Sequence, residues 1–371
     1  MVEMMAIETA RAAVMTDFHQ PLEVRSYPLP DRLEPGALLV RVEMAGICGT
    51  DVHLWKGQLA IPRPIIMGHE TVGVIQRLGE GLNKDWTGAQ LSVGDRITWS
   101  AGMLCGDCYH CAVIRQPTRC LNRSAYGISF SCDDTPHFSG GYAEFIYLRP
   151  RTAVFKLSDV PSEAVTGAGC ALVTAIHGIE RMGINWGDTV VIQGSGPVGL
   201  SALAVAQTAG ASTTIVIGGP SERLQQAAAF GADHTIDIDE VADSAVRLEQ
   251  VRRLTNEHGA DVVIECVGSP SVVPEGFEMC RDGGKYLVLG HYGDAGTAPI
   301  NPHVITRKQL TVYGSWASEP RHMSMALEFL RKQGTRFPFE NLISHRFPLE
   351  QAFEALQITA QWASRKCVIV P

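Results

Sequence analysis

A glycine-rich turn between a short apolar strand and an alanine-rich helix constrains the fold of this chain more than any other feature. Residues 188–193 form an apolar run of strand length, and residues 200–209 have the composition of a helix. Between them lies Gly194-Ser195-Gly196-Pro197-Val198-Gly199. A bare G-x-G-x-x-G is weak evidence, but between a strand and a helix it has the context of a dinucleotide-binding loop. Its glycines let the backbone approach a pyrophosphate, whose charge meets the helix N-terminus.

Strands and helices keep alternating after this turn. Predicted helices cover residues 222–230 and 241–258, and predicted strands cover 213–217, 232–236, 261–266, 285–290 and 310–316. Two of these strands are predominantly apolar, as expected when both faces of a parallel sheet are covered. This half of the chain is therefore predicted to be an α/β domain with a Rossmann doubly wound parallel sheet. Cys266 lies at the carboxyl edge of that sheet, where such folds bind their ligand, and is a predicted cofactor contact.

The first part of the chain has a different pattern. Short apolar runs at residues 37–42, 71–75 and 96–99 are separated by glycine and proline turn signals. Many short strands of this kind predict a small barrel-like β domain. A closing strand at the C-terminal end returns to it, so we expect residues 1–171 and 313–371 to form one domain and residues 172–312 the other.

Two thiols and one imidazole have the chemistry of a metal site. Cys48 lies in a Gly-x-Cys-Gly-Thr-Asp-x-His block, His69 lies between Gly68 and Glu70, and Cys170 lies in a predicted helix that opens at Ser162. A lone cysteine is more often a small buried hydrophobe, so it is the combination that carries the prediction. Two thiolates and an imidazole suit a tetrahedral zinc whose fourth position stays open.

Four residues beside these ligands have supporting chemistry. Asp51 and Glu70 each lie close after a predicted ligand, and such carboxylates commonly orient a ligating histidine or sit behind the metal. Thr50 offers a hydroxyl, and His53 offers an imidazole that can exchange protons near neutral pH. Together they predict a path for a proton.

A second cysteine set has closed metal-site spacing. Its members share one short loop and are Cys105, Cys108, Cys111 and Cys120. Four thiolates can surround one zinc and leave no position for a substrate, which predicts a structural role. The alternative, a redox dithiol, would be favoured by a C-x-x-C beside a βαβ unit. Cys132 and His137 lack four-ligand spacing, and we expect them in a solvated loop.

The composition excludes several classes of function. The 371 residues carry a formal net charge of -8, so neither nucleic acid nor a membrane is an expected partner. Residues 1–9 have no basic run before an apolar core, so they do not predict a signal or transit peptide. No apolar run reaches the roughly 18 residues of a membrane span. With no such signal, the ten cysteines favour metal over disulfides, and we expect a cytoplasmic protein.

The metal block, the four-cysteine loop and the dinucleotide loop resemble those of the zinc-containing medium-chain alcohol dehydrogenases, over nearly the whole chain. The resemblance implies a GroES-like β-rich catalytic domain with both zinc sites, catalytic and structural, and a Rossmann cofactor domain. It also implies a homodimer or homotetramer, with the strand at 310–316 pairing across the dimer. One departure is the interval from Cys111 to Cys120, which is one residue longer than the family's usual spacing.

The resemblance implies a reaction as well. A small-molecule alcohol is oxidised, or a carbonyl reduced, with Thr50 taking the hydroxyl proton and passing it through the cofactor ribose towards His53 while hydride moves to the nicotinamide. Two alternatives stay open: a zinc-free quinone or enone reductase of the same superfamily, and a non-catalytic nucleotide-binding redox sensor.

Cofactor preference is less constrained. The family's usual ribose-binding acid would lie about 20 residues after the glycine loop, where this chain has Gly218. Losing that acid permits NADP, but Arg223 occupies a position that is basic in relatives of both kinds. We favour NAD and keep NADP open. The resemblance also implies that Arg365 contacts the pyrophosphate.

The resemblance gives one indication of the substrate. At the position where some relatives narrow the pocket with an aromatic side chain, this chain has Ala101. Apolar walls are expected from Trp55, Leu59 and Trp316. We therefore predict a medium-sized hydrophobic or cyclic alcohol rather than ethanol or a polyol.

Overall fold

The computed structural model describes residues 8–361 and 364–371. The chain divides into two compact units, of which unit 1 comprises Met1–Cys170, Glu319–Lys332 and Phe339–Pro371, and unit 2 comprises Ala171–Ser318 and Gln333–Pro338. The prediction about a targeting segment concerns residues 1–9, of which residues 1–7 lie outside the described part. None of the described helices combines the length and apolar character that a membrane span requires.

The strands and helices are labelled in chain order. The strands are β1 (Thr9–Met15), β2 (Glu23–Pro28), β3 (Leu38–Ile47), β4 (Ile65–Ile66), β5 (Glu70–Leu78), β6 (Arg96–Trp99), β7 (Gly102–Met103), β8 (Ser124–Ala125), β9 (Phe145–Leu148), β10 (Val154–Lys156), β11 (Thr189–Gln193), β12 (Thr213–Gly218), β13 (His234–Asp237), β14 (Ala260–Glu265), β15 (Cys280–Val288), β16 (Thr311–Gly314), β17 (Ile343–Phe347) and β18 (Lys366–Ile369). The helices are α1 (Gly49–Trp55), α2 (Ser162–Met182), α3 (Pro197–Ala209), α4 (Ser221–Ala229), α5 (Ser244–Leu254), α6 (Val272–Met279), α7 (Pro302–Lys308), α8 (Pro320–Gln333) and α9 (Ala352–Ala360).

Unit 1 is mainly antiparallel. Its largest sheet has the order β10-β6-β5-β3-β18-β17, and β9 also pairs with β3; a three-stranded sheet has the order β2-β1-β4. The strands are short and their inward side chains are apolar, with Ala12, Val40, Ile75 and Ile146 all fully buried. The central place of β3 matters for function, because β5 and β18 flank it on either side.

Unit 2 contains one parallel sheet. Its order is β13-β12-β11-β14-β15-β16, and every neighbouring pair is parallel. This order places the first strand of the unit beside the fourth, as in a doubly wound nucleotide-binding sheet. The apolar side chains of Val191, Ile215 and Val263 are fully buried, which explains why their strands lack alternation. The predicted fold class, α/β with a β-rich domain and a Rossmann domain, is confirmed.

Several boundaries differ from expectation, and two of them have a clear structural cause. The predicted helix at residues 241–258 is shorter, because Asp243 caps it: its Oδ1 accepts the Ala245 N–H at 2.9 Å, and the helix begins at Ser244. Residues 313 and 314 belong to β16, which hydrogen-bonds to β15, so they lie in unit 2 rather than at the start of the returning segment.

Candidate metal centres and cofactor site

The four-cysteine loop brings its thiols together. The sulfur atoms of Cys105, Cys108, Cys111 and Cys120 lie within 4.8 Å of one another. A one-turn helix over Tyr109–Val113 carries the third thiol, and the fourth follows a turn at Pro117–Arg119. Gly106 has φ +82°, a conformation that side chains rarely adopt and that the tight loop requires. The donor set consists of four cysteine sulfur atoms, which as thiolates fit a four-coordinate zinc with no open position.

Strand pairing assembles the second cluster. Gly46 of β3 lies opposite Glu70 of β5, so the residues that extend these strands, Cys48 and His69, become neighbours. Their Sγ and Nε2 atoms are 3.2 Å apart. Gly68 has φ +94°, and a Cβ there would lie 2.6 Å from the ring of Tyr142, so glycine is needed immediately before the histidine.

Cys170 reaches the same cluster through a break in α2. Gly169 has φ 52° and ψ -150°, outside the helical region, and this break leaves the Cys170 N–H free to donate to Glu70 Oε1 at 2.7 Å. A Cβ at Gly169 would collide with the Glu70 carboxylate. Ligand atoms of Cys48, His69, Glu70 and Cys170 lie within 4.8 Å of one another.

The charges of this cluster suit a cation. The hydrogen bond from the Cys170 thiol lowers the pKa of Cys48 to about 6, while the same bond and burial raise the pKa of Cys170. His69 turns Nε2 towards the thiol and Nδ1 towards Asp51 Oδ1, 3.5 Å away, the arrangement in which a carboxylate orients a ligating imidazole. Both Asp51 Oδ1 and His69 Nδ1 are buried without a close hydrogen bond. These residues fit a zinc ion, which ionises thiols when it binds.

Glu70 has a partner that the sequence did not reveal. Lys366, the first residue of β18, pairs through Nζ with Glu70 Oε2, and the side chains are 3% and 1% exposed. Gly46 makes room for the pair, since a Cβ there would lie 2.6 Å from Glu70 Oε2. Burial alone would raise the pKa of Glu70, but the Lys366 ammonium lowers it below its ordinary value. The predicted closing strand begins with two basic residues, Arg365 and Lys366, and the sequence does not show which of them is buried.

Helix α1 holds the remaining predicted catalytic residues. Cys48 is its N-cap: the sulfur accepts the Thr50 N–H at 3.2 Å, and Asp51 Oδ2 accepts the Cys48 N–H at 2.9 Å. Burial alone would raise the pKa of Asp51, but the His69 imidazole lowers it. Thr50 is half-buried, whereas His53 is exposed and pairs through Nδ1 with Gln58.

The predicted dinucleotide loop has the required backbone geometry. Gly194 directly follows β11 and has φ +110°, while Pro197 occupies the first turn of α3. Gly199 packs against the Gly194 carbonyl without room for a side chain. Gly218, at the end of β12, packs equally closely on Ser195, because a Cβ there would lie 2.5 Å from Ser195 Oγ. Val198 follows in the first turn of α3.

Three other predicted contacts lie in different surroundings. Arg223, in the first turn of α4, is half-buried, and its Nη1 would be 3.9 Å from a Cβ at Gly196. Cys266 directly follows β14, and burial raises its pKa well above the usual range. Arg365 is exposed, and its N–H donates to Ser344 Oγ at 3.2 Å.

One expectation about a loop cysteine is wrong. Cys132 is fully buried, with Sγ 3.3 Å from the Tyr27 hydroxyl and its carbonyl 2.8 Å from His137 Nδ1. Its neighbours Asp133 and Asp134 are exposed, whereas the Cys132 thiol packs in the hydrophobic core of unit 1 rather than in solvent.

The comparisons with known proteins agree with this architecture. The alcohol dehydrogenase GroES-like domain matches residues 34–159, and the zinc-binding dehydrogenase family matches residues 197–332. The 5-exo-hydroxycamphor dehydrogenase of Pseudomonas putida is 36% identical over 367 residues, 98% of this chain and 99% of that protein. An alcohol dehydrogenase from Thermotoga maritima has a TM-score of 0.93 at 34% identity, over 98% of this chain and 100% of that one.

A third relative was solved with a cofactor. It is described as a zinc-binding dehydrogenase from Sinorhizobium meliloti 1021 bound to NADP, with a TM-score of 0.83 at 28% identity over 98% of this chain and 100% of that one. The fold, the two clusters and these likenesses define an oxidoreductase that acts on the CH–OH group of a small-molecule alcohol, or on the carbonyl, with a nicotinamide cofactor.

The chain belongs to the zinc-containing medium-chain alcohol dehydrogenase family. The predicted family and the predicted NAD(P)-dependent alcohol dehydrogenase activity are thereby confirmed.

Proposed function

We propose that this dehydrogenase oxidises a medium-sized apolar or cyclic alcohol, primary or secondary, at a zinc ion held by Cys48, His69 and Cys170. The observation that carries the proposal is the convergence of these three donors beside a Glu70 whose oxygens already accept from Cys170 N–H and Lys366. With Glu70 engaged, three protein ligands leave one position of a tetrahedral ion for the substrate. Bound zinc supplies Lewis acidity that favours loss of the hydroxyl proton.

The chain's own residues orient the ligands and move the proton. Asp51 holds His69 with Nε2 towards the thiols, and Glu70 supports the Cys170 backbone. The Thr50 hydroxyl, fixed in the first turn of α1, would accept the substrate hydroxyl proton while it releases its own proton towards His53. His53, exposed on the same helix, exchanges that proton with solvent.

A second zinc completes the proposal. Four thiolates in the loop of Cys105, Cys108, Cys111 and Cys120 provide a closed structural site, which gives two zinc ions per chain. The catalytic domain of this proposal corresponds to unit 1 and the cofactor domain to unit 2, so that residues 313–318 belong to the cofactor domain.

The substrate class is supported by one relative and by the side chains of unit 1. The relative from Pseudomonas putida is named for 5-exo-hydroxycamphor, a hydroxylated bicyclic compound. Trp55 is half-buried, and its indole N–H is fixed to the Gln20 carbonyl at 2.8 Å, so it presents a rigid apolar face. Leu59 packs against the hydrophobic core of unit 1. Residue 101 is alanine, whose side chain is small.

NAD is the proposed cofactor over NADP. Gly218 offers no acid, but Asp237 lies opposite it in register on β13, and Asp239 would lie 3.2 Å from a Cβ at Gly219. These two carboxylates would repel a 2′-phosphate, while Arg223 would attract one.

Trp316, the third predicted apolar wall residue, lies in unit 2, where it stacks on Tyr292 with ring centroids 5.5 Å apart.

We also propose a homodimer or homotetramer in the cytoplasm, with no nucleic-acid or membrane partner. The edge position of β16 in its sheet and the exposed Val312 on it support self-association. Paired edge strands remove the open hydrogen-bonding groups of a sheet edge.

A panel of alcohols tests the proposal. We expect kcat/KM for a cyclic or bicyclic alcohol to exceed that for ethanol at least about tenfold, because each buried methylene contributes about 0.8 kcal/mol. We expect NAD to give a higher kcat/KM than NADP. Steady-state rates of nicotinamide reduction with cyclohexanol, benzyl alcohol, a bicyclic alcohol, ethanol and sorbitol measure both. The highest kcat/KM with ethanol or sorbitol would contradict the proposed substrate class.

A further inference from the structure

A buried carboxylate closes the carboxyl edge of the parallel sheet in unit 2. Glu265, the last residue of β14, is fully buried. Its Oε1 accepts the N–H groups of Val267 and Gly268, each at 2.6 Å, and its Oε2 accepts the Gly290 N–H at 3.0 Å. One side chain therefore ties the loop after β14 to the loop after β15. We call Glu265 and these three N–H groups the carboxylate clamp.

The backbones joined by the clamp touch directly. Gly268 has φ +76°, and a Cβ there would lie 2.7 Å from the Gly290 carbonyl oxygen. A Cβ at Gly290 would lie 2.7 Å from Glu265 Oε1. The glycine loop packs against the loop after β14, since a Cβ at Gly194 would lie 3.1 Å from the Cys266 carbonyl. The ends of β11, β14 and β15 thus share one packed junction.

The clamp also sets the direction of three peptide groups. In a planar trans peptide the N–H and the preceding C=O point in opposite directions. Because the N–H groups of Val267, Gly268 and Gly290 point at Glu265, the carbonyls of residues 266, 267 and 289 point away from it. None of these carbonyls accepts a hydrogen bond from the described residues, so they are available as acceptors.

Fold stability alone does not explain why the buried residue at the end of β14 is a glutamate. Burying an ionised group is unfavourable unless hydrogen bonds compensate it, and here the compensation comes from backbone N–H groups, with the imidazole Nε2 of His291 3.8 Å away. These hydrogen bonds hold the loop after β14 and the loop after β15 in one conformation. Parallel sheets bind ligands at this edge, where preorganised loops reduce the cost of ordering on binding.

We propose that Glu265 is a positioning residue for the nicotinamide half of the cofactor. It acts through the backbone of residues 266–268 and 289–290, which it holds with their carbonyls turned outward. The inference rests on the proposed cofactor site at Gly194–Gly199. It assigns the two halves of the cofactor to different supports: the glycine loop for the pyrophosphate, and the clamp for the nicotinamide.

The variant Glu265→Gln tests this division. The amide keeps the shape of the side chain but has one acceptor oxygen, and its NH2 group faces a backbone N–H. Because loss of a charged hydrogen bond is typically worth a factor of ten or more, we expect the Kd of NADH to rise at least about tenfold. The Kd of ADP-ribose, which lacks the nicotinamide, should change less than about twofold. Titration calorimetry measures both without any turnover.

A carboxylate at the opposite end of the same strand provides a matched control. Asp261 Oδ2 accepts the Thr189 N–H at 2.8 Å, and its Oδ1 pairs with Arg281 at 2.5 Å. Asp261→Asn should leave the ratio of the two Kd values unchanged. Equal weakening of NADH and ADP-ribose by Glu265→Gln, or no weakening of either, would overturn the proposal.

Hydrogen exchange of the wild-type protein keeps the proposal testable if Glu265→Gln does not fold. The clamp predicts slow exchange of the Val267, Gly268 and Gly290 amides in the cofactor-free protein. Exchange as fast as that of the exposed loop at residues 294–296 would contradict it. If no alcohol is oxidised while the variant still separates NADH from ADP-ribose, the proposed substrate is wrong and the clamp stands.

Discussion

Replacing Cys48 by serine is expected to remove one zinc ion per chain and to lower kcat at least about a thousandfold. The thiol belongs to the proposed catalytic ligand set and caps α1, where its sulfur accepts the Thr50 N–H. Loss of a Lewis acid that contributes several kcal/mol to the transition state corresponds to a rate effect of about this size. Zinc analysis and steady-state kinetics of the purified variant measure the two effects.

Two further results decide how the Cys48→Ser outcome is interpreted. The Kd of NADH should stay within about twofold of wild type, because the glycine loop lies in unit 2 and Cys48 in unit 1. The control is Cys132→Ser, a buried thiol of unit 1 that belongs to neither cluster, which should keep both its zinc content and its kcat. Wild-type turnover in Cys48→Ser, or loss of NADH binding together with turnover, would contradict the assigned division of labour.

Replacing Lys366 by methionine should destabilise the protein by about 3 to 5 kcal/mol. Removing one partner of a buried ion pair leaves the other charge uncompensated, and Glu70 is 1% exposed. The change is expected in the midpoint of urea unfolding with the slope unchanged. The double variant Lys366→Met with Glu70→Gln should recover part of this loss, because the remaining amide carries no charge.

A surface ion pair in the same unit serves as the control. Lys156 and Asp95 are 2.7 Å apart, with side chains 31% and 19% exposed, and Lys156→Met should cost less than about 1 kcal/mol. If Lys366→Met were as stable as Lys156→Met, Glu70 would not depend on the lysine for its charge. The proposed supporting role of this pair behind the ligands would then be wrong.

The sequence was most informative where chemistry and spacing coincide. The order strand, glycine loop, helix at residues 188–209 predicted the start of the parallel sheet, and β11 and α3 are found there. The four-cysteine cluster was predicted from its spacing. The set Cys48, His69 and Cys170 was predicted from its combined donor chemistry and from the resemblance to the family. What brings Cys48 and His69 together is the opposition of Gly46 and Glu70 in β3 and β5.

The sequence alone could not identify side chains that interact with residues far away along the chain. Lys366 lies 296 residues from Glu70, and nothing local distinguishes it from Arg365, the predicted cofactor contact that proves exposed. The fold separates them, because all four residues of β18 are buried, whereas Arg365 precedes the strand and is exposed. Glu265 was equally hidden, since its partners are backbone N–H groups that carry no residue-specific signal.

One helix was missed for a reason of propensity. Helix α6 contains Pro274 and Gly276, both unfavourable in helices, and was not predicted. The proline is tolerated in the first turn. The glycine is required, because a side chain there would collide with Gln193 and Tyr286. Packing against the sheet therefore outweighs local preference.

The zinc content of active protein tests the central claim most directly. Elemental analysis of protein purified without added metal, with alcohol-dependent reduction of NAD or NADP measured on the same sample, gives zinc per chain and turnover together. The account predicts about two zinc ions per chain in protein that oxidises alcohol. About one zinc per chain and no alcohol oxidation would contradict it, because the four-cysteine loop would then be the only occupied site.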